Sequence, residues 1–262
     1  MTSSKIKWVE VKSADMKKIA AFCTYTFFTY ILFILSIQPS HGETQTCQIQ
    51  KPASLVQIFV YSEGPLAALG DNHIISTHEL EGNVEFNGKS ISQSSLSFVV
   101  PVHSFEVDNP MLRAQAGKDF ESRISSLNRK ITRKSMLSSK ILDAAQFPII
   151  KIDSQSIRKQ ENVIVVELDV TLHGQSRLET TTVTLNHTDH WLTLAGQLSI
   201  NQSDYGITPY RIAFGGIRVR EQLDLKFEIT ARCNSIHLTL ASANPYSSYR
   251  SVHEANAHWR KI

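Results

Sequence analysis

The sequence predicts an all-β protein, an antiparallel barrel or sandwich interrupted by one helical insertion. Three observations carry that reading. Apolar and polar residues alternate with period two in runs from residue 54 to residue 231, the mark of strands that bury one face. Turn-forming pairs separate the runs, and no strand–helix alternation points to a parallel sheet. One stretch, Lys118 to Lys140, changes to helical spacing: Phe120, Ile124, Leu127 and Ile131 form an apolar stripe among Arg123, Arg129, Lys130, Arg133 and Lys134.

The strands follow in order. In Ser54–Tyr61, Val56, Ile58 and Val60 share a face, and Val84 pairs with Phe86 opposite Asn83 and Glu85. Leu96, Phe98, Val100 and Val102 line the next strand, which leads into Asp108–Asp119 and the basic helical stretch. Phe147-Pro148 restarts the sheet, with Ile150 and Ile152 alternating against Lys151 and Asp153. Val166, Leu168, Val170 and Leu172 oppose Glu167, Asp169 and Thr171, and two further strands carry Val183/Leu185 and Leu192/Leu194. The last strand, Gln222–Ala231, sets Leu223, Leu225, Phe227 and Ile229 against Gln222, Asp224, Lys226, Glu228 and Thr230. Asn87-Gly88, His173-Gly174 and Asp204-Tyr205-Gly206 supply turns in which glycine takes a positive φ. A sandwich fills its core with two inner faces, whereas an eight-stranded barrel can hold a small ligand. Alternation reads the same for both.

Residues 1–42 stand apart. Met16, a second candidate start, opens a basic Met16-Lys17-Lys18, followed by the apolar run Ile19–Ile37 and then Pro39-Ser40-His41-Gly42, with small residues at the −3 and −1 positions. This is the layout of a cleaved export signal, and it predicts a periplasmic protein. The alternative is an uncleaved anchor, since about nineteen residues just span a bilayer. The expected organisation is a signal at 1–42, a β-barrel domain at 47–233 and a polar tail at 234–262. Five of the 27 basic and two of the 24 acidic residues lie in 1–42, so the remainder carries 22 of each. A neutral domain gives no electrostatic basis for nucleic-acid binding. Cys47 and Cys233 bracket the domain. First and last strands of a closed barrel are neighbours and exported proteins keep disulfides, so a Cys47–Cys233 bond is expected.

Several segments, in order, resemble one known family. They are Gly64-Pro-Leu-Ala-Ala-Leu-Gly-Asp-Asn-His-Ile-Ile75, Asp108-Asn-Pro-Met-Leu-Arg113, Met136–Pro148, Leu172-His-Gly174, Gln202–Tyr210 and Gly215–Arg220. Together, over roughly residues 53–232, the sequence resembles the YceI-like proteins. The resemblance implies a lipocalin-like antiparallel β-barrel with one helical insertion. It also implies an exported binding or carrier protein, with no cofactor and no catalysis, whose cavity takes a polyprenyl quinone or other isoprenoid lipid. Where the family segment carries a first histidine, this chain has Asp71.

On that reading the cavity wall comprises Val56, Ile58, Val60, Leu96, Phe98, Val100, Val166, Leu168, Val170, Leu223, Leu225 and Phe227. Arg113 and Met136 stand at its mouth, with Arg113 reaching a quinone carbonyl or headgroup. The bland role for Arg113 is an ion pair with Asp119 that ties down the helical segment. The helical stripe is expected to pack on the barrel; its sharper reading is a lid whose basic face meets an anionic headgroup or a membrane surface. Asp71, His73, His78 and His103 are the local acid–histidine cluster, and Asp71/His73/His103 would serve a metal- or redox-linked enzyme, the alternative function. A metal needs three or four converging ligands, and the five-residue spacing of His73 and His78 places them on opposite faces of a strand. The simpler reading is a Gly-Asp-Asn turn in which His73 caps backbone groups. No H-E-x-x-H, G-x-S-x-G or C-x-x-C occurs.

Overall fold

The computed structural model describes residues 44–161 and 163–234. The expected signal at 1–42 and the tail from 235 lie outside the described residues. Strands β1 (Thr44–Ile49), β2 (Leu55–Val60), β3 (Ser62–Glu63), β4 (His73–Thr77), β5 (Glu81–Asn87), β6 (Ser95–Pro101) and β7 (Glu106–Val107) precede the helical region. After it come β8 (Ile149–Gln160), β9 (Val163–Leu172), β10 (Gln175–His187), β11 (Trp191–Asn201), β12 (Arg211–Ile212), β13 (Ile217–Val219) and β14 (Gln222–Cys233).

Eight strands close an antiparallel barrel in the order β1-β5-β6-β8-β9-β10-β11-β14 and back to β1. The closure depends on how the first strands meet the last. The C-terminal part of β14 pairs with β1, Cys47 opposite Cys233; its N-terminal part pairs with β2, Leu225 opposite Ile58. A 3-10 turn at Lys51–Ala53 divides the two, and the Ser54 hydroxyl binds both backbone groups of Thr230 there. From β2 the sheet extends through β4 to β7. The Cys47–Cys233 disulfide locks the seam, as the sequence anticipates.

Alternation sorts side chains as expected. Val84, Phe86, Leu96, Phe98, Val100, Ile152, Val166, Leu168, Val170 and Ile229 are buried in one core inside the barrel. Gly82 permits the β5–β6 register: a Cβ there would lie 2.1 Å from the Ser97 carbonyl oxygen. His173 and Gly174 both take positive φ in the tight β9–β10 turn, and Gly206 is left-handed. Asn87-Gly88 departs from expectation. Gly88 does not have a positive φ, and a longer loop with a 3-10 turn at Ile91–Gln93 replaces the two-residue hairpin. The Asn87 side chain organises it, accepting from the N–H groups of Lys89 and Ser90.

The helical region is not the single helix that spacing predicts. Helix α1 (Pro110–Gln115) is capped by Asn109, with Pro110 at its first position. Phe120 then sits in a 3-10 turn and Ile124 in a loop. Helix α2 (Ser126–Met136) starts after Ser125, whose hydroxyl accepts from Asn128 N–H. That cap satisfies a helix-start N–H and ends the stripe. Phe120 packs instead outside the barrel, on Phe59 and Ile74, edge-on to Phe59 at 5.6 Å between ring centroids. Leu127 and Ile131 of the stripe are exposed.

Candidate functional site

One cavity of about 420 Å³ occupies the barrel axis, within the size range of small-molecule sites. All twelve residues expected for its wall line it: Val56, Ile58, Val60, Leu96, Phe98, Val100, Val166, Leu168, Val170, Leu223, Leu225 and Phe227. So does Met136. Several of them, Val56, Ile58, Val60, Leu223, Leu225 and Phe227, are only partly buried, because they face this hollow rather than one another. The barrel is therefore hollow where alternation alone allowed a solid core.

The two ends differ. At one, Phe86 and Leu192 are buried beside the disulfide, and the His187 ring lies 4.5 Å from that of Phe86. At the other, β2 and β4 are joined by residues 61–72, and β11 and β14 by residues 202–221. From these connections β12, β13 and β3 build a separate three-stranded sheet. The helical region leaves and re-enters the barrel at this same end, between β6 and β8, and α2 contributes Ile131, Thr132 and Ser135 to the lining. Ile131, Tyr210 and Ile212 line the cavity while being about half exposed, so the cavity reaches the surface here. Its polar side chains gather at this mouth, among them Ser62, Asp71, His73, Tyr210 and Arg218. Ser94 and Thr181, elsewhere on the wall, are engaged with backbone groups of Asn87 and Gln197.

His73 is the best-positioned polar group. Its Nδ1 lies 2.7 Å from Oδ2 of Asp108, whose side chain is fully buried. The other oxygen of Asp108 accepts from Arg113 at 2.6 Å and from the Ile74 N–H at 3.0 Å. Burial pushes the Asp108 carboxyl up, but hydrogen bonds from His73, Ile74 and Arg113, with the charge on His73, hold it below its ordinary 3.8. An ionised carboxylate accepts only, so His73 donates Nδ1–H to it. Nε2, at the far edge of a ring that lines the cavity, has no partner among the described residues.

Two sequence expectations are corrected here. Arg113 is not at the mouth and does not pair with Asp119. Its guanidinium is buried, donating to Asp108, to the Asn72 carbonyl, and to the Ser122 carbonyl and hydroxyl. Four of its five fixed donors are taken by these oxygens, so the fork points into the wall behind the cavity. The backbone cap in the Gly-Asp-Asn turn is Asn72, not His73: its amide oxygen accepts from the Ser62 N–H and its amide nitrogen donates to the Asp119 carbonyl.

The Asp71/His73/His103 constellation does not assemble. His103 lies in a separate shallow depression with Lys130 and Arg133, and His78 is bonded to the Ser54 carbonyl. Among the described residues no three His, Cys, Asp or Glu side chains converge on a metal position. The residues that sequence reasoning passed over are Asp108, inside a quoted family segment but given no role, and Tyr61, Tyr210, Ile212 and Arg218 at the mouth. Their sequence signal is weak, because short strands such as β12 have no room to alternate.

Comparison with known proteins agrees with this architecture. The YceI-like domain model matches residues 67–231. The crystal structure of BcnA from Burkholderia cenocepacia is similar with a TM-score of 0.53 at 18% identity, covering 70% of this chain and 99% of that one. A polyisoprenoid binding domain from Saccharophagus degradans, implicated in plant cell wall breakdown, is similar with a TM-score of 0.50 at 10% identity, covering 73% and 100%. At those identities the likeness is one of fold. No curated protein matches the sequence. With a family model spanning most of the barrel, and the fold it implies in place, the chain belongs to the family of YceI-like domains.

Proposed function

We propose that this protein is a non-catalytic carrier for an amphiphilic isoprenoid lipid, such as a polyprenyl quinone, and that it works in the periplasm after export. The observation that carries the reading is a cavity walled by aliphatic and aromatic side chains, with polar side chains, among them Ser62, Asp71, His73, Tyr210 and Arg218, at one mouth. Such a cavity takes up an apolar chain and leaves a polar head at the entrance. Each methylene moved from water contributes about 0.8 kcal/mol without a specific polar contact. The fold neighbour from Saccharophagus degradans is itself a polyisoprenoid binding domain, which supports the same ligand class. Cys47–Cys233 suits an oxidising compartment, and the signal-like segment at 16–42 supports export.

At the mouth, His73 meets the headgroup. In the neutral ring Asp108 keeps the proton on Nδ1, leaving Nε2 to accept from a hydroxyl; a protonated ring would donate to a carbonyl instead. Native mass spectrometry of protein taken from membranes, followed by quinone titration of the stripped protein, tests the proposal. A co-purifying isoprenoid and saturable quinone binding are expected. Protein that carries no lipid and binds no quinone refutes it.

A further inference from the structure

We propose that the open end of the barrel docks on an anionic lipid surface, with Phe214 and the Leu127/Ile131 face of α2 entering the interface. The inference rests on the cavity being a lipid site and adds the surface from which that lipid is taken.

Phe214 is fully exposed and takes a φ of 55°. A bulky side chain in the left-handed region is costly, and here the strain presents an aromatic ring to solvent with no packing in return. The neighbouring turn is equally apolar outside. Leu66, whose N–H donates to the Gly216 carbonyl, and Leu69 are both exposed. On α2, which borders the mouth, Leu127 and Ile131 lie one helical turn apart and are exposed too. Single exposed apolar residues need no explanation, but a rim of them does.

Two further observations select a membrane as the occupant. The first is continuity: Ile212 of β12 and Ile131 of α2 both line the cavity and both reach the surface. A lipid tail leaving a bilayer at this rim meets apolar side chains all the way into the barrel. The second is charge. Helix α2 carries Arg129, Lys130, Arg133 and Lys134 and no acid. The guanidinium groups of Arg129 and Arg133 donate to backbone carbonyls of Ile124, Phe105 and His103, which leaves Lys130 and Lys134 exposed beside Leu127 and Ile131. Exposed lysines flanking an exposed apolar face are the arrangement of an interfacial helix on anionic lipid.

Hydrogen exchange of the full chain, alone and with phosphatidylcholine vesicles with or without phosphatidylglycerol, tests this. Exchange at 64–70, 126–136 and 211–216 should slow at least about threefold on anionic vesicles. It should slow less on neutral vesicles or at high salt, with the turns at the disulfide end unchanged. Phe214→Ser should lose the protection at 64–70 and 211–216 yet titrate with a short-chain quinone as the wild type does. No protection at the rim on anionic vesicles, or full protection in Phe214→Ser, overturns the proposal. Protection that grows with protein concentration in the absence of vesicles also overturns it and assigns the rim to a second copy. Quinone binding without rim protection removes the docking alone; rim protection without quinone binding removes the cavity reading alone.

Discussion

Asp108 holds the mouth of the barrel together because two elements converge on one carboxylate. It takes a positive φ itself and accepts from Arg113 of α1 and from His73 and Ile74 of β4. Removing one partner of a buried pair leaves the other charge uncompensated, so Arg113→Ala should lose about 3–5 kcal/mol in urea unfolding. The pH dependence follows from the direction of the shift. Asp108 is held below its ordinary 3.8, so the stability it contributes is complete above the unfolded value, about 3.9, and is lost as pH falls through the lower folded value. Asp108→Asn should therefore be less stable near neutrality and lose less on acidification, read as urea midpoints at about pH 7 and about pH 3. His73 makes the separate, ligand-level prediction. His73→Leu should weaken binding of the quinol, whose hydroxyl donates to Nε2, by about tenfold, the loss of one hydrogen bond, while binding of squalene, which has a tail and no headgroup, stays unchanged in the same titration.

Among the elements, β14 has the most to hold, since it carries both halves of the barrel seam. Its pairing with β1 is tied covalently over a separation of 186 residues, and cross-linking a loop of that length restricts the unfolded chain by about 5 kcal/mol in the chain-entropy model. Cys233→Ser should show a loss up to that size by urea denaturation, with wild-type protein under reductant matching it. Strands β5 and β6 depend on a missing side chain. A methyl group at Gly82 would overlap the Ser97 carbonyl and the Phe98 backbone, so Gly82→Ala should cost at least about 2 kcal/mol in the same assay. Helices α1 and α2 divide the work expected of one helix. The segment around Phe120 clamps the outer face of β2 and β4, and α2 borders the cavity mouth.

For the whole molecule, an apolar hollow of about 420 Å³ offers a bound chain dispersion contacts along its wall. An apolar chain that occupies it should raise the melting temperature with ligand concentration, as binding to the folded state alone requires. Across a series of quinones of increasing tail length, affinity should strengthen by about 0.8 kcal/mol per buried methylene and level off once the cavity is full. A series in which tail length has no effect would place the binding at the mouth instead. On the proposed function the barrel has a direction, the lipid entering at the polar mouth beside α2 with its tail toward the disulfide.

The strand pattern, the seam disulfide and the wall of the cavity were legible in the sequence because each depends on period-two alternation or on the neighbour relation that barrel closure imposes. Leu223, Leu225 and Phe227 had to share a face, and Cys47 had to meet Cys233 if the barrel closed. The site's polar half was not legible, since Arg113 and Asp108 are separated from His73 by about 35–40 residues of loops and short strands with no periodicity to read. Sequence proximity could not choose between Asp108 and Asp119, which flank Arg113 at nearly equal spacing, and only packing could show the carboxylate of Asp108 seated against it. Hollowness was likewise a tertiary decision. Alternation records which face is turned inward, while the distance across the barrel, set by eight strands closing on one another, determines whether the inward residues meet.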